Sequence, residues 1–125
     1  SRSSAASDVY KRQGEASGLT DHEQLRHELG VPEGSRDLAV DRALLLESGF
    51  EELNGVDWDK GCYVGQEVTA RTKYRGLVRR RLTPVTVTGG APADDGRVTK
   101  SGLDAGELRS YHAGHGFALL KLSIL

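Results

Sequence analysis

The segment that most constrains this 125-residue chain is 60–67, which reads Lys-Gly-Cys-Tyr-Val-Gly-Gln-Glu. It contains the only cysteine of the chain, Cys62, and a glycine on either side of the Cys-Tyr-Val triplet, Gly61 and Gly65. Glycine adopts positive φ without strain and lets another backbone approach closely. The spacing therefore predicts a tight loop that presents Cys62 and leads into a helical segment at 68–74.

Cys62 has two interpretations. A lone cysteine is most often a small buried hydrophobic residue. In its thiolate form it is also a nucleophile and a metal ligand, and a neighbouring cation or a helix N-terminus favours that form. Lys60 is a cation close in sequence, and the turn before Gln66 precedes the helical segment. The functional interpretation therefore requires an exposed Cys62 whose thiolate is stabilised by Lys60.

The composition is that of an ordinary globular chain with many turns. Hydrophobic residues make up 37% of it, and there are 16 glycines. The formal net charge of -1 excludes a global attraction to nucleic acid or membranes, so any such attraction must be local. A single cysteine excludes an internal disulfide and fits a reducing compartment. No apolar run approaches the roughly 18 residues of a membrane span.

The first thirteen residues differ from the rest of the chain. Residues 1–13 are small and polar, without periodicity and without the apolar core of a secretory signal. We interpret them as a non-native or disordered linker and exclude them from the fold. The chain contains no methionine, so we expect it to be a fragment of a longer protein.

Local patterns predict a helical beginning and a β-rich end. Thr20–Glu23 has the form of a capping box for a helix at 21–29, which Gly30 ends. The leucine run at 44–46 is too short to distinguish a helix from a buried strand. Later segments alternate apolar and polar residues between turn residues, which predicts strands. They lie at 82–88, which the Gly-Gly-Ala-Pro segment 89–92 ends, and at 97–99, 106–112 and 116–122, with a turn at 94–96.

The string at 60–67 resembles the signature of the YgfZ-type proteins, folate-binding relatives of the glycine-cleavage T-protein (GcvT) that help to mature iron-sulfur enzymes. The resemblance continues through 68–71 and 73–76. The segment Leu-Glu-Ser-Gly at 46–49 is similar to a Leu-Glu-Ala-Gly element of that family, with Ser48 in place of alanine. The resemblance implies an α+β fold. It places the end of a GcvT-like folate-binding domain at 14–59, the signature loop and helix at 60–76, and a partial C-terminal antiparallel β-barrel at 77–125.

Six cations follow the signature within a short stretch that contains no acid: Arg71, Lys73, Arg75, Arg79, Arg80 and Arg81. Guanidinium groups bind phosphate and carboxylate in a bidentate way, so this run is suited to a phosphate, a polyglutamate tail or RNA. Alternatively, it is a solvated face whose long side chains cover the edges of the core. Glu67 and Arg71 are four residues apart, which predicts an ion pair on one helical face.

The residues and the resemblance together give a candidate site. Cys62 and Lys60 are the predicted catalytic residues, with Cys62 supplying the thiol. Glu47 is predicted to contact a pterin, because a carboxylate accepts two N–H donors from an aminopyrimidine ring. No metal site is predicted, and His112 and His115 are interpreted as surface residues that flank a turn. The other predicted cofactor-binding residues are Gly61, Tyr63, Gly65, Gln66, Glu67 and Arg71, of which Gln66 and Glu67 are expected to hold the loop through backbone hydrogen bonds.

The resemblance implies an accessory factor that binds tetrahydrofolate and supports the assembly or repair of 4Fe-4S clusters in client enzymes. One thiol cannot hold such a cluster alone. Cys62 is therefore expected either to share a transient cluster with an iron-sulfur client or assembly protein, or to act as a redox-active thiol. The alternatives are a folate-dependent aminomethyl or methyl transferase, and a tRNA-modification module that binds tRNA through 71–81. No membrane partner is expected, and the expected location is the cytoplasm, or the mitochondrial matrix in a eukaryote.

Overall fold

The computed structural model describes residues 14–88, 92 and 94–125, so the predicted linker at 1–13 and most of the segment predicted to end the first strand lie outside the described residues. The described part is α+β, as predicted, with its helices ahead of an antiparallel sheet. No helix in the described ranges has the length and apolar character needed to cross a bilayer. The elements are α1 (Leu19–Leu29), α2 (Gly34–Asp37), α3 (Gln66–Tyr74), β1 (Arg80–Thr86), β2 (Arg97–Lys100), β3 (Leu103–His112) and β4 (His115–Lys121).

Helix α1 ends where the sequence predicts but begins differently. Gly30 adopts φ 69° and its N–H donates to the carbonyl of His27, so the predicted stop is confirmed. The predicted capping box is wrong, because the helix starts at Leu19, the N-cap is Gly18, and no side chain caps it. Glu23 does not reach back to the N-cap. Its carboxylate instead accepts from the guanidinium of Arg26 at 2.7 Å.

The segment between α2 and α3 forms neither a long helix nor a strand. Turns occupy residues 40–42 and 45–54, and the leucine run at 44–46 begins just before the second of them. Leu46 is buried, whereas Leu44 and Leu45 remain partly exposed. The carbonyl of Glu47 accepts from the N–H of Leu82 at 2.7 Å, which fastens these turns to β1.

The sheet has four antiparallel strands in the order β1-β4-β3-β2. The β3 and β4 strands form a hairpin whose turn is Ala113 and Gly114, at φ 50° and 86°. This combination of positive φ values matches the right-handed twist of a hairpin. Among the described residues the sheet is open, and β1 and β2 are its edges. On β1, Pro84 lacks a backbone N–H, which limits pairing at that edge.

Two glycines allow the central strands to approach. A Cβ at Gly106 would lie 2.1 Å from the carbonyl oxygen of Leu119, and a Cβ at Gly116 would lie 2.3 Å from that of Ser110. Gly106 also has φ 151°. These positions accept only glycine without a shift of the neighbouring strand.

A buried polar cluster joins the helices to the sheet. The carboxylate of Asp37 accepts from Arg26 at 2.5 Å, from the Glu33 N–H at 2.7 Å and from the Ser110 hydroxyl. Arg109 donates to the Asp37 carbonyl at 3.1 Å. We call Glu23, Arg26, Asp37, Arg109 and Ser110 the Asp37 cluster. The apolar core beside it is small and consists of Leu46, Leu82, Ala105, Phe117 and Ala118.

Candidate functional site

The structure exposes Cys62, as the functional interpretation of the sequence requires. Val64, two residues later, has 103% of its reference accessible surface, so the crest of the loop projects into solvent. A Cβ at Gly61 would meet no atom within 4 Å. Gly65 adopts φ 86° as the N-cap of α3, where a side chain would be strained. The glycine-flanked loop of the prediction is therefore present, and it leads into a helix that begins two residues earlier than predicted.

Both ends of the loop are fixed by short-range hydrogen bonds. On the N-terminal side, the Asp57 carboxylate accepts from the N–H groups of Asp59 at 2.9 Å and Lys60 at 3.3 Å. On the C-terminal side, the N–H of Gln66 donates to the carbonyl of Tyr63 at 3.1 Å. The hydroxyl of Thr69 donates to the Gly65 carbonyl at 3.1 Å. The residues between these anchors, including Cys62, form the exposed crest.

Lys60 and Tyr63 are brought together by the loop. The Lys60 ammonium lies 5.5 Å from the centroid of the Tyr63 ring, a cation–π distance. Cys62 precedes Gly65, the N-cap of α3, by three residues. The role of Lys60 in stabilising the thiolate stays a prediction.

Gln66 and Glu67 act differently from one another. Gln66 holds the loop through its backbone N–H, as expected. The Glu67 carboxylate instead pairs with the Arg71 guanidinium, which confirms the predicted helical ion pair but leaves Glu67 without the expected role in the loop. Both side chains are largely exposed, so the pair stabilises the helix by about 0.3–0.5 kcal/mol.

A group that sequence patterns did not reveal lies beside the loop. The Lys73 ammonium is 4.5 Å from the centroid of the Trp58 ring and also binds the Glu51 carboxylate. The Trp58 ring contacts the Tyr74 ring edge-on, with centroids 6.1 Å apart. The hydrogen bond from Lys73 lowers the pKa of Glu51 below its ordinary value, because it stabilises the ionised carboxylate. Glu51 and Lys73 are 22 residues apart, and no local pattern connects them.

Glu47 lies in a different place from the Cys62 loop. Its side chain is 8% exposed, and its only ion-pair partner in the described part of the chain is Arg80, at 3.4 Å. It lines a cavity of about 190 Å³ between the turns at 38–48 and the sheet. No residue of the signature segment lines this cavity. The predicted site residues therefore form two separate sites, one around Cys62 and one around Glu47.

The basic run after the signature is largely neutralised by acids from the preceding turns. Glu52 pairs with Arg81 at 2.5 Å, while Glu51 and Glu47 pair with Lys73 and Arg80. With Arg71 bound to Glu67, four of the six cations are engaged. Arg75 and Arg79 have no ion pair within the described ranges. Only two of the six cations, Arg75 and Arg79, therefore remain to attract an anion in the described part of the chain.

The two histidines flank the hairpin turn, but they are not the surface residues that the sequence predicted. His112 and His115 are half-buried and face each other across the end of β3 and β4. The Nε2 of His112 and the Nδ1 of His115 are buried without a partner in the described residues. The ring of His27 packs 4.7 Å from that of His115, because α1 lies against this end of the hairpin.

A group of potential metal ligands occurs elsewhere in the described residues. The side chains of His22, Glu23 and Glu33 lie close enough together to surround an ion. The Glu23 carboxylate, however, is already bound by Arg26 at 2.7 Å and by Arg36 at 2.9 Å. These two cations disfavour a metal at this position.

Comparisons with known proteins agree with this architecture. Residues 79–125 match the family described as the CAF17 C-terminal beta-barrel domain. The chain is 42% identical over 114 residues to the mitochondrial iron-sulfur cluster assembly factor IBA57 of Mus musculus, covering 86% of this chain and 32% of the mouse protein. It is 44% identical over 112 residues to the protein of that name from Homo sapiens, with the same coverage. The chain thus spans about a third of the length of these relatives.

Proposed function

We propose that the protein containing this chain is an accessory factor for iron-sulfur cluster assembly, located in mitochondria. The similarity to mouse and human proteins named for that role supports the proposal. The observation that carries it is the exposure of Cys62 on an anchored loop. A thiol that serves a partner must be reachable, and a buried Cys62 would have excluded this function.

In this function, Cys62 supplies a single thiolate ligand. A 4Fe-4S cluster generally takes four cysteine ligands, so the remaining ligands come from the partner, which is an iron-sulfur client or assembly protein. The cluster is cargo that passes through this interface, and the thiolate of Cys62 is the form that binds it. A redox-active thiol that keeps a partner's site competent is the other use that the same exposure permits.

We further propose that the protein is of the YgfZ type and binds tetrahydrofolate through Glu47. The cavity of about 190 Å³ is smaller than a typical ligand pocket, so it supports this role for the pterin ring alone. The buried Glu47 carboxylate has one long ion pair and therefore retains capacity for two N–H donors of a pterin. Leu38, Leu82 and Leu119 give the cavity apolar walls for a flat ring. Bound folate would supply a reduced pterin ring at this position. The signature residues do not line the cavity, so their role is the presentation of Cys62.

The test of the main proposal is Cys62→Ser in cells that depend on this protein. We expect the variant protein to accumulate normally, because an exposed side chain contributes about 0.5 kcal/mol or less to stability. The activity of a 4Fe-4S enzyme, such as a radical-SAM methylthiotransferase, should fall to the level of cells without the protein. Ser123→Ala, at an exposed position outside the loop, is the matched control and should keep full activity. Normal client activity with Cys62→Ser would remove the thiol from the mechanism.

The folate proposal has a separate test. Glu47→Gln preserves the shape of the side chain but replaces one acceptor oxygen and removes the charge. Tetrahydrofolate affinity, measured by isothermal titration calorimetry, should fall about tenfold or more, because hydrogen bonds to charged groups are the stronger kind. Unchanged affinity would exclude Glu47 as the pterin contact and leave the role of Cys62 intact.

The two unpaired cations favour a second candidate, binding of tRNA beside the basic run. Arg75 and Arg79 are exposed and have no ion pair within the described ranges. Two phosphate contacts predict a weak interaction whose affinity falls with salt, with a shallow slope of about two on a logarithmic plot. The double variant Arg75→Gln/Arg79→Gln should abolish that slope. Binding to tRNA that is insensitive to salt, or not detectable, would exclude this function.

A further inference from the structure

We propose that Trp58, Lys73 and Glu51 form a clamp that positions the Cys62 loop, and that Lys73 is its central residue. We call these three residues the Trp58 clamp. The proposal deepens the function proposed above and rests on it for its biological meaning. Its geometry, however, is tested without any partner protein.

The clamp joins the two ends of the loop from outside. Trp58 immediately precedes the Asp59–Gly65 segment, and Lys73 lies in the last turn of α3, the helix that follows it. The Lys73 ammonium lies 4.5 Å from the Trp58 ring centroid. Lys73 therefore holds the chain before the loop against the helix after it, beside the edge-on contact between the Trp58 and Tyr74 rings.

Glu51 completes the clamp from a third segment. Its carboxylate binds the same Lys73 ammonium, and both side chains are about one third exposed. The hydrogen bond from Lys73 lowers the pKa of Glu51, and Trp58 acts in the same direction. The ammonium is thus shared between a carboxylate and an aromatic face, a geometry that fixes its position better than a surface ion pair alone.

The crest of the loop has few contacts of its own. Space is open around Gly61, and Val64 is fully exposed. The hydrogen bonds of Asp57 and Gly65 act within each end of the loop and do not connect one end to the other. The position of Cys62 relative to α3 therefore depends on contacts that bridge the two ends. A ligand must be held in a defined position if it is to complete the coordination of a shared cluster.

The clamp differs from a contact that merely supports the fold. Half-exposed ion pairs contribute little to global stability, so loss of Lys73 should loosen the loop without unfolding the chain. Lys121 offers a matched control, because its ammonium binds Asp104 at 2.7 Å on the sheet, away from the loop. Lys73→Met and Lys121→Met each remove one partly exposed ion pair and keep a flexible side chain of similar size, but only Lys73→Met also removes a contact of the cation with an aromatic ring.

The test compares these variants by amide hydrogen exchange at neutral pH. The N–H groups of Asp59 and Lys60, which Asp57 protects, and that of Gln66 report on the two ends of the loop. We expect Lys73→Met to speed their exchange about fivefold and Lys121→Met to leave it unchanged. Lys73→Arg should restore slow exchange, since arginine also binds a carboxylate and stacks on an aromatic ring. Trp58 is the only tryptophan, so its emission should change in Lys73→Met alone.

Several outcomes would overturn the clamp. The proposal is wrong if amide exchange in Lys73→Met equals that of the wild type. It is also wrong if Lys73→Arg does not restore slow exchange. If Lys73→Met does not fold, Glu51→Gln decides, because it weakens the ion pair and should speed exchange at the same amides. Normal client activity in Cys62→Ser, together with faster exchange in Lys73→Met, would reject the proposed function and keep the clamp.

Discussion

The Asp37 cluster and the Trp58 clamp both join distant parts of the chain through charged side chains, but they differ in burial. The side chain of Asp37 is fully buried, and that of Arg26 is 6% exposed, whereas Lys73 and Glu51 are 33% and 39% exposed. In the cluster the carboxylate of Asp37 has three donors. Beside the clamp, the Cys62 crest is left in solvent.

The difference in burial gives the two groups different roles: the Asp37 cluster stabilises the fold, and the Trp58 clamp restrains a loop that remains exposed. A buried charge without its partner is strongly unfavourable, so the Asp37 cluster requires the helices and the sheet to be assembled together. A half-exposed contact restrains the loop locally and can open without global unfolding. We infer that the buried Asp37 cluster stabilises the fold, whereas the segment beside the Trp58 clamp leaves Cys62 exposed to solvent.

The largest loss of stability is expected from a substitution in the buried Asp37 cluster. Asp37→Ala leaves the Arg26 guanidinium with a single buried acid, Glu23, and removes acceptors for Ser110 and the Glu33 N–H. Breaking a buried pair in this way costs about 3–5 kcal/mol. Since domains of this kind are stable by about 5–15 kcal/mol, urea denaturation should show a large drop in midpoint. Asp104→Ala, which breaks the exposed pair with Lys121, should lower the midpoint much less, because solvent screens this pair. Equal losses of stability in Asp37→Ala and Asp104→Ala would contradict the difference between buried and exposed pairs.

Glycine-to-alanine substitutions test the same difference in the backbone, between the closely packed sheet and the open Cys62 loop. Gly106→Ala should cost about 1–3 kcal/mol, because φ is 151° and the new Cβ would lie 2.1 Å from the Leu119 carbonyl oxygen. Gly61→Ala, in open space at the crest of the loop, should change stability by about 0.5 kcal/mol or less. Thermal unfolding of the two variants gives the measurement. A destabilising Gly61→Ala would mean that the loop is packed rather than exposed.

The pH dependence of stability should differ less between the Asp37 cluster and the Trp58 clamp, because each contains a glutamate with a lowered pKa. The Arg26 hydrogen bond lowers the pKa of Glu23 below 4.5, and the Lys73 hydrogen bond does the same for Glu51. A carboxyl with a lowered pKa in the folded state contributes stability that is present above its unfolded pKa and is lost as pH falls through the folded value. The urea midpoint should therefore fall as pH drops below about 4.5.

Repeating the pH titration at high salt distinguishes the contribution of Glu23 from that of Glu51. Salt screens the half-exposed Glu51 pair more than the buried Glu23 pair. The loss of stability on acidification should thus persist at high salt in the wild type and shrink in Glu23→Gln. A midpoint that rises on acidification would contradict both assignments.

Some elements followed directly from local sequence. The alternation of apolar and polar residues predicted the strands after residue 80, and Gly30 predicted the end of α1, because both signals act within a few residues. The spacing of Glu67 and Arg71 predicted their ion pair for the same reason. The glycine-flanked loop around Cys62 was predicted from the sequence, but its exposure was not, since a buried cysteine remained the alternative.

Other features depend on contacts between distant residues and had no local signal. Asp37 meets Ser110 across 73 positions, and Lys73 meets Glu51 across 22. The basic run looked like an open cationic face because its acids lie on turns that precede the signature. The capping-box prediction failed because a buried arginine competes for Glu23. The placement of Glu47 away from Cys62 also required the fold, since the two lie only 15 residues apart in sequence.

The most direct test of the central claim measures 4Fe-4S content in a client enzyme. The client is purified from cells that carry either the wild-type protein or Cys62→Ser at equal amounts, and its clusters are counted by Mössbauer spectroscopy. We predict that the client from Cys62→Ser cells lacks most of its clusters, as it does in cells without the protein. A client with full cluster content in the presence of Cys62→Ser would contradict the assignment of the exposed loop as the functional site.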